Sequence, residues 1–371
     1  MPTKKLANAF RAASTALNEA VIKDSEVVAS IEFVCRNPQN RAGVRVLLAC
    51  ALAKVNNPDI DIRKPYTEIG TKDCYSGRTY DEKYITHFIN EHELPCNPTT
   101  AFLTLALRNR NIVLTTEVDL VGRPQKLYQQ VLRLFDEVHH NRVSAWELLV
   151  ETIRWLIIVR EERRQRIKSL LANLNSFDEN LPLSADRILK LIEQHLSCKG
   201  SSRLPVLIVA AAYRTASEQI GEKILPLKSH NAADEQTGAL GDVEVTLINN
   251  DNIITGYEMK MKTVTVEDIN RAWQKILNSS HHVHHYVFIT TEEIPKKVQE
   301  YAESFYEKTN GIEIAILDCL GFLTHFLHLF YRIRTQFLDE YQKLVLEDTA
   351  VNQPLKETFL ALRQTAESEP E

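Results

Sequence analysis

The sequence lacks long apolar runs, and none approaches the ~18 consecutive residues of a membrane-spanning helix. It also has few glycines and prolines, 11 and 13 among 371 residues, which excludes a collagen-like or linker-dominated chain. The first residues, MPTKKLANAFRAAS, are basic but contain no continuous apolar stretch, so we expect no secretory signal. These observations predict a cytoplasmic protein without a membrane segment.

Cysteine is also scarce, and its spacing excludes two classes of small scaffold. The six cysteines form no CxxC pair and share no short spacing. We therefore expect reduced thiols of an intracellular protein and neither a disulfide framework nor a structural zinc site. They are Cys35, Cys50, Cys74, Cys96, Cys198 and Cys319.

The chain has no excess of positive charge. Its 44 Lys and Arg residues are outnumbered by 49 Asp and Glu residues, giving a net charge of −5. That balance argues against a protein that coats nucleic acid passively, because such proteins are usually basic. An enzyme with a local basic groove stays possible, since carboxylates elsewhere can mask the groove.

Length and periodicity predict two domains. A chain of 371 residues is well over the roughly 150 of a typical domain. The polar segment NLNSFDENLP, Asn173–Pro182, is typical of a linker. We predict a helical DNA-recognition or accessory domain over 1–175 and an α/β domain over 183–371. The helices expected in the first are Leu6–Ile22, Glu26–Cys35, Ala42–Val55, Tyr80–Glu91, Thr99–Leu107, Pro124–His139 and Ser144–Leu174.

Beyond the linker, strands enter the pattern. Two helices are followed by three strands, a helix and a fourth strand, which is an α/β signature. A short strand and two more helices complete the chain. The two leading helices are expected at Ser184–Leu196 and Leu204–Gly221, and the four strands near Lys223–Ser229, Asp242–Ile248, Ile253–Thr263 and Val283–Thr290, with a helix at Val266–Leu277 before the last.

Charged residues follow a period of two along the second and third strands. In an extended strand, Asp242 and Glu244 share one face, and Glu258, Lys260 and Lys262 share one face. For the carboxylates to lie on the same side, the connecting loop must have an odd number of residues. A three-residue loop at 250–252 pairs Asp242 with Lys260 and Glu244 with Glu258.

An Asp on one strand and Glu-x-Lys on the next resemble the PD-(D/E)xK nuclease site, with Gly-Asp here in place of Pro-Asp. Carboxylate oxygens of Asp242 and Glu258 suit Mg²⁺, which keeps several waters and also contacts substrate phosphate. Lys260 is placed to orient an attacking water and to offset the growing negative charge. We expect the backbone carbonyl of Met259 as a further ligand. Glu222 or Glu218, from the preceding helix, is a candidate for an additional carboxylate.

The bare pattern also has an ordinary interpretation. A D-x(10–30)-E-x-K match arises about once by chance in a chain of this length, and a solvated hairpin with a Glu–Lys ladder would produce it too. The order of elements favours the nuclease interpretation. The predicted fold class is therefore α/β, with a helical N-terminal domain and a C-terminal PD-(D/E)xK, restriction-endonuclease-like α-β-β-β-α-β core.

Three segments carry a more specific resemblance. Cys74–Asn111, Thr237–Val245 and Tyr257–Ile276 are similar to the SacI family of type II restriction endonucleases, and the similarity extends over roughly residues 40 to 330. This resemblance implies Mg²⁺-dependent cleavage of double-stranded DNA at a short specific sequence. It also implies a companion DNA methyltransferase that protects the host. The motif residues Asp242, Glu258 and Lys260 carry over to it directly.

Candidate DNA-binding residues lie in two places besides Lys262. The first is the cluster Arg108, Asn109, Arg110 and Asn111, since Arg reads guanine and Asn reads adenine; helix capping explains this cluster equally well. The second is the polar loop that leads into Asp242, where His230, Asn231 and Gln236 suit substrate contacts or form a plain connection. A basic run over 154–168 favours a solvated helix face more than a phosphate-tracking one.

Cutting both strands of a palindrome requires two copies of the site, so a homodimer is the expected assembly. Two rival hypotheses remain at this point. One is a repair or junction-resolving nuclease of the same fold, which leaves the large helical half unexplained. The other is a DNA-binding module with a degenerate nuclease fold, against which the intact Asp, Glu and Lys count.

Overall fold

The computed structural model divides the chain within one long helix, into the compact units Met1–Gln165 and Arg166–Glu371. The dividing point lies inside the helix Ala145–Leu174. Among the described helices, none combines the length and apolar character that a membrane span requires. The structure describes residues 1–37, 42–97, 100–121, 124–174, 182–227, 240–279, 282–309 and 311–368.

In the first unit, every regular element of the described residues is helical. Short 3₁₀ turns occupy Thr67–Ile69 and Ala101–Leu103. Apolar side chains from most of the helices form one core, with α3 buried along almost its whole length. The α-helices are α1 Pro2–Thr15, α2 Ser25–Arg36, α3 Ala42–Asn56, α4 Gly77–Tyr80, α5 Thr86–Glu91, α6 Gln125–His139 and α7 Ala145–Leu174.

A buried ion pair organises the middle of this unit. Between α4 and α5 the helix widens into a π-turn, Asp81–Ile85, and Asp81 is fully buried there. The Asp81 carboxylate accepts a 2.8 Å hydrogen bond from Arg45 Nε, and its second oxygen accepts from the Thr100 hydroxyl and the Ala101 amide, each at 2.7 Å. The pair is therefore satisfied by hydrogen bonds, as a buried charge must be.

The predicted helix Thr99–Leu107 is wrong. Among the described residues there, only the 3₁₀ turn Ala101–Leu103 forms, and it ends at Thr104, whose backbone is extended with φ −72° and ψ 155°. The apolar spacing that predicted the helix also included Leu103 and Leu105, which are 48% and 85% exposed. The helical spacing of apolar residues in this segment therefore does not correspond to a buried helix face.

The first predicted helix is also too long, since α1 ends at Thr15 and the prediction continued to Ile22. Beyond the helix end, backbone groups form hydrogen bonds with side chains of α7 in place of helical ones. The Arg154 guanidinium donates to the Leu17 carbonyl at 3.0 Å, and the Val21 amide donates to the Glu151 carboxylate at 2.8 Å.

The same contact corrects the interpretation of the basic run over 154–168 as a solvated face. Arg154 and Arg163 are both buried, with 5% and 7% exposure. Arg154 is held by the Glu151 carboxylate at 2.6 Å, so part of the run belongs to the interior of the helical unit.

The second unit contains helices and one five-stranded sheet. Its helices are α8 Ala185–Leu196, α9 Leu204–Ile220, α10 Val266–Asn278, α11 Lys296–Thr309, α12 Cys319–Leu329, α13 Arg334–Glu347 and α14 Gln353–Ser368. Its strands are β1 Glu222–Ile224, β2 Val243–Leu247, β3 Asn250–Lys260, β4 His285–Thr290 and β5 Glu313–Asp318. This mixed α/β architecture confirms the predicted class.

The sheet is mixed, with strand order β1-β2-β3-β4-β5. The first three strands pair antiparallel, whereas β4 and β5 are added in parallel after the connections through α10 and α11. In chain order, α9 is followed by three strands, a helix and a strand. The predicted strands Lys223–Ser229 and Ile253–Thr263 both differ in bounds from β1 and β3.

Apolar cores cover both faces of the sheet. On one face, Val243 and Val245 pack with Tyr257 and with residues of α8, α9 and the last three helices. On the other, Tyr286 and Phe288 pack with residues of α10 and α11. A sheet covered on both faces can hold a polar side chain only if that side chain finds hydrogen-bond partners.

A buried histidine makes the stability of this unit depend on pH. His195 is fully buried, with Nδ1 3.0 Å from the Tyr341 hydroxyl and Nε2 3.0 Å from the Leu355 carbonyl. Burial lowers its pKa to about 4, although the Leu355 carbonyl opposes the shift. The unfolded chain, with a His pKa of roughly 6.5, binds the proton first as the pH falls.

We therefore predict that stability is fully present above about pH 6.5 and is lost as the pH falls toward about 4, by up to roughly 1.4 kcal/mol per pH unit. Urea unfolding at a series of pH values measures the slope. His195→Gln should be less stable at pH 7.5 but should lose less on acidification. An equal slope in the two proteins would contradict the assignment.

Candidate active site

Asp242 and Glu258 lie beside each other at one end of the antiparallel hairpin. Val243, the first residue of β2, pairs with Tyr257 of β3. Asp242 directly precedes one member of this pair and Glu258 directly follows the other. The Asp242 carboxylate accepts a 2.8 Å hydrogen bond from the Met259 amide, which ties the two strand ends together.

The predicted strand pairing is wrong by two residues. Glu244 pairs with Gly256 and not with Glu258. Because side chains alternate with a period of two, a shift of two residues leaves every side chain on its predicted face. The carboxylate pair is therefore brought together by a register other than the predicted one.

The loop is also shorter than predicted, because Leu247 pairs with Asn250 across a two-residue turn. A plain two-residue turn would put Asp242 and Glu258 on opposite faces. Two register shifts in the hairpin correct this: from the turn to the Val243–Tyr257 pair, β3 advances seven residues while β2 advances four. The three extra residues on β3 are an odd number, which restores the shared face.

Glu258 is held by three side chains from three elements. Its Oε1 lies 2.6 Å from Lys260 Nζ on its own strand. Its Oε2 lies 2.8 Å from Lys275 Nζ on α10 and accepts a 2.6 Å hydrogen bond from the Tyr286 hydroxyl on β4. The Glu258 side chain is only 16% exposed, so these partners replace most of its water.

These contacts decide the protonation state of the carboxylate. Burial by itself raises the pKa of Glu258, but the charge of Lys275 and hydrogen bonds from Lys260, Lys275 and Tyr286 outweigh burial and bring the pKa below its ordinary value. Burial lowers the pKa of Lys260, and the adjacent Glu258 and Asp268 reverse this to a net increase. Both groups are therefore charged at neutral pH.

Asp268 connects the site to the start of α10. It lies at the third position of that helix and forms a capping box with Thr265, in which each side chain bonds the other's amide. Its other oxygen lies 2.6 Å from Arg271 and 3.2 Å from Lys260 Nζ. Lys260 is thus placed between two carboxylates, one on its strand and one at the helix start.

The backbone that leads into Asp242 is fixed on both sides. The Leu240 amide donates to the Glu244 carboxylate at 2.8 Å, and the Leu240 carbonyl lies 2.8 Å from the Tyr286 hydroxyl. At Gly241 the chain passes so close to β3 that a Cβ would lie 2.4 Å from the Tyr257 carbonyl oxygen. This close approach explains glycine as the residue before Asp242.

Oxygen donors at this position fit a hard divalent cation. Asp242 and Glu258 supply carboxylates, and the Met259 carbonyl is on the Asp242 side of β3, since the amide and carbonyl of one strand residue point to the same edge. Across the described residues, no three His, Cys, Asp or Glu side chains gather in a metal-binding group. Two carboxylates and a carbonyl suit Mg²⁺, because that ion keeps several waters.

The structure does not bring the two additional candidate carboxylates to this site. Glu222 is on β1, not on the preceding helix, and its pairing with Leu247 puts it on the sheet face opposite Glu258. There it lines a cleft of about 490 Å³ with Tyr213 and Phe322, and burial raises its pKa. Glu218 is exposed on α9.

The candidate DNA-binding residues divide by environment. Arg108 is exposed, and Asn109 and Asn111 have left-handed backbones with φ of 52° and 51°. Arg110 Nε donates to the Ala106 carbonyl at 3.1 Å, so Arg110 supports a turn, and no described helix ends there for the cluster to cap. Lys262 is exposed just beyond the end of β3, whereas His230, Asn231 and Gln236 lie outside the described residues.

Sequence reasoning missed three partners of the motif, namely Lys275, Tyr286 and Asp268. The Thr265-x-x-Asp268 capping signature was readable, and Lys275 follows Asp268 by seven residues, so both share one helix face. Tyr286 shares a face of β4 with Phe288 and resembles an ordinary core aromatic.

The segment that holds the site matches a known protein family. Residues 180–292 match the family model described as "SacI restriction endonuclease C-terminal domain". The match includes Asp242, Glu258 and Lys260 as well as Lys275 and Tyr286. It confirms the resemblance stated from the sequence, over this segment. A search of curated proteins finds no match.

The close approach at Gly241 leads to a stability prediction. Gly241→Ala places a Cβ against rigid backbone and should destabilise the fold by about 1–3 kcal/mol, as overpacking does. Gly256→Ala is the matched comparison, because its Cβ meets the Tyr286 ring at 3.3 Å and side chains yield more easily than backbone. Urea unfolding of both variants measures the difference. Equal stability of Gly241→Ala and the unchanged chain would refute the packing argument.

Proposed function

Because residues 180–292 match the family model of the SacI restriction endonuclease C-terminal domain, we propose that this chain is a type II restriction endonuclease. Its reaction is Mg²⁺-dependent cutting of both DNA strands at a short, specific and palindromic sequence. The observation that carries the proposal is the position of Asp242, Glu258 and Lys260 together within the matched segment.

The geometry supports one role for each of these residues. Asp242, Glu258 and the Met259 carbonyl are the groups that would hold Mg²⁺. When bound, the ion would polarise the phosphoryl oxygen and lower the pKa of a water molecule. Lys260, whose ammonium lies 2.6 Å from Glu258, orients the attacking water and offsets negative charge that develops on the phosphate.

The helical unit contributes DNA grip and specificity in this proposal. Arg108 and Asn109 are exposed on a turn beyond the 3₁₀ segment, and side chains of these two types read guanine and adenine edges. Arg110 supports that turn through its contact with the Ala106 carbonyl. A homodimer places two cutting sites on a palindrome, and a cognate methyltransferase in the same cytoplasm protects host DNA.

Plasmid DNA incubated with the protein, in Mg²⁺ or in EDTA, tests the function. We expect discrete fragments in Mg²⁺ and none in EDTA. A smear would indicate the alternative of a repair or junction-resolving nuclease. A mobility shift without cutting would indicate a non-cleaving DNA-binding module with a degenerate nuclease fold. Asp242→Asn keeps the acceptor for the Met259 amide and removes the charge, so it is the control that should bind DNA without cutting it.

Lys260, the last residue of β3, and Lys262, just beyond it, should differ in function. Lys260 contacts two carboxylates, so Lys260→Ala should slow single-turnover cleavage at saturating DNA by roughly 10²–10⁴-fold. Lys262 is exposed, so Lys262→Ala should mainly raise the Kd for DNA. It should also reduce the slope of log Kd against log salt concentration by about one unit. Single-turnover rates and salt-dependent binding distinguish these effects. The reverse pattern would move the catalytic role to Lys262.

A further inference from the structure

Lys275 and Tyr286 contact the same oxygen of Glu258, although neither belongs to the Glu-x-Lys motif. Lys275 Nζ lies 2.8 Å from Glu258 Oε2, and the Tyr286 hydroxyl lies 2.6 Å from it. Lys260, by contrast, contacts Oε1. The carboxylate thus has one oxygen bound by the motif lysine and the other by two side chains from outside the motif.

We propose that Lys275 and Tyr286 are positioning residues for Glu258 with opposite effects on metal affinity. Lys275 competes with a divalent metal for Oε2, because its ammonium lies 2.8 Å from that oxygen. Tyr286 orients the carboxylate and favours binding. This inference rests on the proposed function, because it concerns the same metal site.

The placement of Tyr286 explains how it reaches the carboxylate. Tyr286 pairs with Gly256 on β3, two residues before Glu258, and is fully buried. Without a side chain at Gly256, the Tyr286 ring lies across that position, 3.3 Å from where a Cβ would be. The hydroxyl therefore extends along the strand toward Glu258.

The single proton of the Tyr286 hydroxyl has two acceptors within reach. The hydroxyl oxygen is 2.6 Å from Glu258 Oε2 and 2.8 Å from the Leu240 carbonyl oxygen. Leu240 lies two residues before Asp242, so one hydroxyl links Glu258 to the backbone that leads into Asp242. Partners that orient a ligating carboxylate in this way usually contribute about 10–100-fold to metal affinity.

Lys275 acts in the opposite direction because of its charge. Its ammonium and a divalent cation are both attracted to Oε2, and the Lys275 side chain is only 26% exposed, so solvent screens the competition only in part. Removing the ammonium leaves a carboxylate that is less fully neutralised. Metal affinity should then rise.

Binding of Mn²⁺ alone tests the proposal without any cleavage reaction, since Mn²⁺ accepts the same oxygen ligands as Mg²⁺. The EPR signal of free aqueous Mn²⁺ gives the Kd for each variant of the full chain. We expect Lys275→Gln to lower that Kd by on the order of 10-fold. We expect Tyr286→Phe to raise it about 10-fold, and Lys275→Arg, which keeps the charge, to leave it close to the original value.

Opposite signs for the two variants are the result that supports the proposal. An unchanged or raised Kd in Lys275→Gln overturns it, and that variant decides the question even where Tyr286→Phe fails to fold. Lys297→Gln, an exposed lysine on α11, is the matched control and should leave Mn²⁺ binding unchanged.

Asp242→Asn separates this inference from the proposed function. If Asp242→Asn loses Mn²⁺ binding while Lys275→Gln binds as the unchanged chain does, the metal site stands and the inference fails. If the unchanged chain does not bind Mn²⁺ at millimolar concentration, the metal site and the inference fail together.

Discussion

A carboxylate withdrawn from water must be compensated, and Glu258 is compensated by residues from β3, α10 and β4. Each partner requires its element to be in place: Lys260 needs the extended strand, Lys275 needs the crossover helix, and Tyr286 needs the parallel neighbour. The folding of the sheet and the assembly of the site are therefore one requirement. A sheet that is covered on both faces has to meet that requirement wherever it holds a charged side chain.

The approach to Asp242 depends on the same residues. Tyr286 contacts Leu240 as well as Glu258, and Glu244 holds the other side of the Leu240 peptide. These two contacts of the Leu240 backbone place Asp242 beside the end of β3, where the Met259 amide donates a hydrogen bond to its carboxylate. The position of Asp242 therefore depends on hydrogen bonds to main-chain groups, which move less than long side chains do.

Much of this arrangement was predictable from residue types and alternation, because Asp, Glu and Lys at strand spacing are chemically specific. The strand register was not predictable, since bulges leave no clear mark in NNDNIIT. Lys275 and Tyr286 were missed because contacts between distant segments carry no local pattern. In the helical unit, the helix predicted after Thr99 is interrupted at Thr104, whose backbone is extended, and periodicity does not report that break.

The hairpin between β2 and β3 also limits how this sequence can evolve. Its two-residue turn and three extra β3 residues together set which face Glu258 occupies. Without a compensating register shift, gaining or losing a single residue there would move the side chains beyond it to the opposite face, whereas a change of two would preserve their face. We therefore expect related hairpins to differ from this one by even numbers of residues. The residue types in the turn can vary more freely than the number of residues.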